Sequence, residues 1–280
     1  MDLLRYIDDG FGLSKINFEN SYGFEVNGQA CRSKHAVQAQ NVFRHVVRAA
    51  EEIGMVVNSK KTAMLCVSDS LKYQADAFIL DADQNRIGCQ DKIKALGLYF
   101  SSRPNMQEQV NAISKKFRAR YWTLRNLKNS GFSTEELVTV YKTIIRPVAD
   151  YACAVYHPSL TDEQDETLDR LQNHALKCIF GSGLSGRKLR EMAGVTTLRA
   201  RREEITEKFA KKLASNPLFT HWFPLKMARS SRRSTVTQEK YLEEKARCDR
   251  LKNSPLFYYR RVLNGKPGRT YGKRYEEYRV

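Results

Sequence analysis

The sequence predicts an α+β fold, with short strands before Pro104, helices after it, and a basic helical extension at the end. Three observations predict it. Up to Phe100 the apolar residues run in short blocks, whereas beyond Pro104 they recur at spacings of three and four. Two capping boxes, Ser133 with Glu136 and Thr161 with Gln164, each stand just before a helical stripe. The charge is lopsided: residues 1–183 hold 23 Lys/Arg against 21 Asp/Glu, while residues 184–280 hold 25 against 10, within a net charge of +17. Three regions follow from these shifts: 1–104, 105–183 and 184–280.

In chain order, Leu3-Leu4-Arg5-Tyr6-Ile7 and Phe11-Gly12-Leu13 flank Asp8-Asp9-Gly10, a hairpin signal because Gly10 tolerates positive φ. Val42, Val46, Ala49 and Ile53 mark a helix over 35–53, widened by Phe43, Val47 and Ala50 and stopped by Gly54. An apolar segment (Met55-Val56-Val57), a polar turn (Asn58 to Lys61) and a strand-like run from Ala63 to Val67 come next. Residues 76–100 read as β-rich, ending in Leu96-Gly97-Leu98-Tyr99-Phe100.

Val110, Ile113, Phe117, Tyr121, Leu124 and Leu127 form one helical stripe, closed by Gly131. Leu137, Val140, Tyr141 and Ile144 form the next, which Pro147 interrupts. Leu168, Leu171, Ala175 and Ile179 form a third, stopped by Gly181. The basic remainder is helical near 198–214 and 237–252, with a linker at Ser230–Thr237.

Composition narrows the class. No apolar run is long enough for a membrane span, and the N-terminus lacks the pattern of a secretory signal. Cys31, Cys66, Cys89, Cys153, Cys178 and Cys248 lie far apart without a C-x-x-C pair, which argues against a zinc site or a disulfide framework. The expected location is intracellular, nuclear or cytoplasmic. A basic tail on a near-neutral body suits a polyanion, nucleic acid before membrane.

Tyr6-Ile7-Asp8-Asp9 carries the chemistry. Neighbouring residues in a strand point to opposite faces, but a tight turn can bring two adjacent carboxylates toward one point. Crowded carboxylates repel unless a divalent cation neutralises them, and Mg²⁺ is typically held by one or two of them with phosphates and water. Turn chemistry alone also places Asp-Asp-Gly at hairpin tips.

The order of features separates these readings. The Tyr6…Asp9 turn, the amphipathic helix, Gly54…Lys61-Thr62 and then Leu96-Gly97-Leu98-Tyr99-Phe100 resemble the later half of a reverse-transcriptase palm, most closely of the non-LTR (LINE-type) retrotransposon group. The similarity continues through Leu124…Leu127, Leu137…Tyr141, Ile145-Arg146-Pro147, Asp150-Tyr151 and Leu171-Gln172…Ile179. Ile7 stands where this group has a small residue, and Tyr156 where a Trp is common.

The resemblance implies a partial antiparallel palm sheet packed with helices, then a helical thumb over 105–183. It implies Mg²⁺-dependent nucleotidyl transfer, with Asp8 the direct metal ligand and Asp9 the outer partner. Tyr6 would pack by the primer terminus, Lys61 (or the adjacent Lys60) would neutralise pyrophosphate, and Gly97 would let backbone approach the primer. The implied partners are an RNA template and a DNA primer, or their duplex.

In the family a further aspartate on an earlier strand completes the metal site. Only five residues precede Tyr6 here, so the chain is expected to be inactive alone. Its open sheet edge would be covered by a missing N-terminal half or by self-association. The competing function is a relic nucleic-acid-binding module that acts only through its basic helices.

Lys115, Lys116, Arg118, Arg120, Arg125 and Lys128 form an acid-free basic stretch interleaved with Phe117, Tyr121 and Trp122. On a helix the apolar stripe faces the core and these cations face a template–primer duplex. Phe117 and Tyr121 fall on the stripe and belong to the core, while Trp122 is open to either use. Arg199-Ala200-Arg201-Arg202, Lys211-Lys212 and Arg229…Arg233 are expected to add phosphate contacts or to serve as nuclear-import signals.

Overall fold

A computed structural model of the chain describes residues 3–5, 10–12, 25–26, 29–30, 34–65, 78–102, 106–225, 240–243 and 252–266, with side chains from residue 39 onward. The chain divides into two compact units, Met1–Pro104 and Asn105–Val280.

In the first unit β1 (Leu3–Arg5) pairs antiparallel with β2 (Gly10–Gly12), Arg5 opposite Gly10. A second short pair, β3 (Glu25–Val26) with β4 (Gln29–Ala30), is also antiparallel. Helix α1 (Lys34–Glu51) buries Val42 and Phe43, and Gly54 takes φ +73° just beyond its end. Met55 and Val56 stay exposed, Val56 at 93%, so this apolar segment joins no strand.

The next sheet has the order β5 (Met64–Leu65), β7 (Arg86–Gln90), β6 (Phe78–Leu80). Asp81 builds the β6–β7 connection by accepting from the amides of Asp83 (3.0 Å) and Asn85 (2.8 Å). Helix α1 lies against β6 through a polar contact. The buried Gln40 amide donates to the Leu80 carbonyl at 2.9 Å and accepts from the Leu80 N–H at 2.6 Å. Finally β8 (Lys92–Ala95) and β9 (Leu98–Ser101) form a hairpin with Ala95 opposite Leu98.

The chain is thus mixed α and β and mostly helical, with small sheets. Two features differ from the single antiparallel sheet expected. Among the described residues the strands fall into four separate sheets, and β5 runs parallel to β7. Strands of two to five residues carry too little pattern to specify which non-local partner they take.

In the second unit the helical stripes are buried or half-buried as their spacing requires, with one exception. Ile144 is 50% exposed and Ile145 is buried in its place, because the π-helical turn at Tyr141–Ile145 shifts the phase by one residue. Helix α2 (Gln107–Asn129) packs against α6 (Asp162–Phe180). Between them run α3 (Thr134–Val140), a π-helical turn (Tyr141–Ile145), α4 (Pro147–Asp150) and α5 (Cys153–Tyr156). Both capping boxes form: Ser133 and Glu136 satisfy each other's amides, as do Thr161 and Gln164. Pro147 has no N–H and crowds the preceding turn, and the helix widens there, with the Arg146 N–H donating to the Tyr141 carbonyl at 2.9 Å.

Helices α7 (Gly186–Ala193) and α8 (Leu198–Ser215) both pack on α6, so residues either side of 183 share one core. Helix α9 (Pro255–Leu263) returns to α8, where Phe223, Tyr258 and Tyr259 gather around Ala210. Part of the helix expected over 237–252 is extended instead: Tyr241 forms an antiparallel bridge with Leu225, and residues 244–251 lie outside the described residues. Asn264 secures that bridge, accepting from the Tyr241 N–H at 2.9 Å and donating to its carbonyl at 3.0 Å.

Candidate nucleic-acid interface

Helix α2 separates its residues by angle. At about 100° per residue, Val110, Ile113, Phe117, Tyr121 and Leu124 share one side, and all five are buried. The Tyr121 hydroxyl donates to the Leu171 carbonyl at 2.8 Å and its ring lies 4.8 Å from that of His174. Burial pushes this hydroxyl well above its ordinary pKa, so it stays a neutral donor.

About 120° round the helix from that side, Lys115, Arg118, Trp122 and Arg125 fall within an arc of about 80°. All four are exposed, Trp122 at 69%. Among the described residues no side-chain hydrogen bond or ion pair engages Lys115, Lys116, Arg118 or Arg125. Phe117 and Tyr121 are core residues, as their place on the stripe requires, and Trp122 is not.

Two members of the basic stretch behave differently. Lys128 falls toward the packed side and its Nζ donates to the carbonyls of Cys178 (3.1 Å) and Ile179 (2.8 Å). It therefore serves the C-terminal end of α6, where the helix dipole favours a cation. Arg120 also leans inward and is half-buried, with one guanidinium nitrogen out of contact with solvent. The free basic surface of α2 is consequently smaller than the stretch of six suggests.

No protein-family model, curated protein or solved structure matches the chain.

The basic runs on α8 depart further from expectation. Arg199 pairs with Glu203 (3.3 Å), Arg201 with Glu204 (3.2 Å), and Lys211 with Glu207 (2.7 Å). Arg202 is buried against Asp165 at 2.7 Å. All four are neutralised within the unit: Arg199, Arg201 and Lys211 at helical spacings of three and four visible in the sequence, Arg202 by a residue of another helix. Lys212 is exposed, whereas Arg229, Arg232 and Arg233 lie outside the described residues.

In the first unit Tyr6, Asp8 and Asp9 lie outside the described residues, between the paired strands β1 and β2. Among the described residues no group of three or more His, Cys, Asp or Glu is placed to hold a metal ion, and no helix is long and apolar enough to cross a membrane. Among the described residues Cys89, Cys153 and Cys178 form no disulfide.

Lys60 and Lys61 are exposed on a single 3₁₀ turn, Ser59–Lys61. Asn58 organises it by accepting from the Lys60 (3.0 Å) and Lys61 (3.3 Å) amides. Both ammonium groups are free to move toward a ligand, and the geometry does not rank one above the other. Gly97 is the second central residue of the β8–β9 turn, with φ +78° beside Leu96 at +49°. Two successive positive φ values make a tight hairpin turn of the kind that matches strand twist, not a bulge within a strand.

Proposed function

We propose that the chain is the later palm and thumb of a reverse transcriptase of the non-LTR (LINE-type) group, and that it holds an RNA template paired with a DNA primer. The observation that carries this reading is the row Lys115, Arg118 and Arg125, without an ion-pair partner among the described residues, on the face of α2 turned away from α6. On α8 of the same unit Arg199, Arg201, Arg202 and Lys211 are matched with carboxylates; among the described residues these three are not, which leaves them open to phosphate. The order of elements before it supports the same reading: a hairpin flanking residues 6–9, the long helix α1, the turn bearing Lys61, and a β-hairpin turning at Gly97.

In this reading Asp8 and Asp9 hold Mg²⁺, with a further carboxylate from an earlier palm strand of the intact polymerase. Bound there, the ion would activate the primer 3′-hydroxyl and stabilise the departing pyrophosphate. Lys61, or Lys60 beside it, neutralises the charge that grows on that pyrophosphate. Tyr6 packs at the primer terminus, and the Gly97 backbone sits close to the primer strand because no Cβ intervenes.

A second reading, a module that binds nucleic acid without catalysis, is favoured by one observation: the α2 row needs no carboxylate and no metal to bind phosphate. Two measurements on the purified chain separate them. Fluorescence anisotropy of a labelled primer–template should show binding that weakens steeply with salt. Electron paramagnetic resonance should show more Mn²⁺ bound by the native chain with the primer–template than by the D8N/D9N variant with it, the ions held by the nucleic acid itself being common to both. Binding that ignores salt would overturn both readings; equal Mn²⁺ binding by the native and D8N/D9N complexes would leave the binding module.

A further inference from the structure

Trp122 is 69% exposed on a helix whose other ring-bearing residues, Phe117 and Tyr121, are buried. A large indole left in water forgoes the stabilisation that burial gives its neighbours. Its surroundings on the same face are Arg118 one turn before, Arg125 one turn after and Lys115 two turns before. From Lys115 to Arg125 the row spans about 15 Å along the helix. A flat π-face set between free cations is the combination that binds unpaired nucleotides: the ring takes the base and the cations take the flanking phosphates.

We infer that Trp122 is a stacking platform for an unpaired base. The cations of this face of α2 take the phosphates of a duplex or a single strand alike, and the ring gives it an added affinity for single-stranded nucleic acid. The inference rests on the reading of the α2 face as a nucleic-acid surface. Its physical ground is the availability of π-faces. In a duplex the bases already stack on one another, and a side chain gains a base face only by forcing a step apart. In a single strand every base offers its face at little cost, and every base has one, so the contact is tolerant of sequence.

The test uses the whole chain, oligo-dT, and a mixed-sequence duplex of equal length, at low salt. The chain has two tryptophans, and Trp222 is half-buried, its ring 5.0 Å from that of Phe219. Oligo-dT is therefore expected to quench emission in the native chain and not in W122A. Alanine is the best helix former and the site is exposed, so W122A should fold, as circular dichroism will check. W122A should bind oligo-dT about 5- to 150-fold more weakly while its duplex affinity stays unchanged.

If W122A loses duplex affinity as much as single-strand affinity, the ring's added affinity for an unpaired base is wrong. If W122A binds oligo-dT as the native chain does while R118E/R125E weakens both ligands, stacking is refuted and the basic face stands. If R118E/R125E also changes nothing, the assignment of α2 as a nucleic-acid surface falls with it.

Discussion

The guanidinium of Arg202 on α8 donates to the carboxylate of Asp165 on α6 at 2.7 Å, with side-chain exposures of 0% and 2%. This pair fastens the two helices at the centre of the second unit. Leaving one charge buried without the other is far costlier than replacing both. Arg202→Met should destabilise the chain by about 3–5 kcal/mol, and adding Asp165→Leu should restore most of that loss. Urea denaturation of the single and double variants measures both steps. A double variant less stable than the single one would show that the pair is not the source of the effect.

Acid should favour the same region through Asp169. Burial raises the pKa of its carboxyl above the ordinary range, against the opposing pull of Arg202 and of the Arg199 amide, which donates to it at 3.2 Å. A raised folded-state pKa means that this group's contribution is fully present below the unfolded value, about 3.9, and is lost as pH rises through the folded value. Asp169→Asn keeps the acceptor for Arg199 and removes the titration. Melting temperatures of variant and native chain, compared at about pH 4 and pH 7, should move in the variant's favour at the higher pH. A gap that stays constant would rule this group out.

Lys128 and Arg118 lie ten residues apart on α2 and should separate stability from binding. Lys128→Met removes the donor to the carbonyls that end α6. It should cost about 0.5–1.5 kcal/mol of stability while nucleic-acid affinity changes little. Arg118→Gln should leave the melting temperature in place and reduce the salt slope of duplex binding by about one phosphate contact. Reversed outcomes, binding lost with Lys128 and stability lost with Arg118, would mean the two faces of α2 have been misjudged.

Gly97→Ala should loosen the β8–β9 hairpin, because φ +78° is unfavourable for any residue with a Cβ. The expected loss is about 1–2 kcal/mol. Amide hydrogen exchange should speed up across Lys92–Ser101 and remain unchanged in α2 and α6. Unaltered protection in the hairpin would show that another conformation of the turn is accessible.

Much of the second unit was readable beforehand, since its signals are local. A stripe at three- and four-residue spacing identifies the buried face of α2, and a Ser or Thr three residues ahead of Glu or Gln identifies a helix start. What escaped depended on partners. The parallel pairing of β5 with β7 joins segments far apart in sequence, and two-residue strands carry no register signal. Counting charges on α8 overestimated its free cations because Arg199, Lys208 and Lys211 each have a glutamate four residues away. Lys128 was read with its basic neighbours, although the helical angle already turned it toward α6.

The contact between Gln40 and Leu80 has a consequence for how this protein meets other copies of itself. Open peptide groups along the rim of a sheet invite strands from another molecule, the seed of fibrils and of strand exchange. At Leu80 a helix side chain already occupies both peptide groups, so the outer rim of β6 is closed there to intermolecular growth.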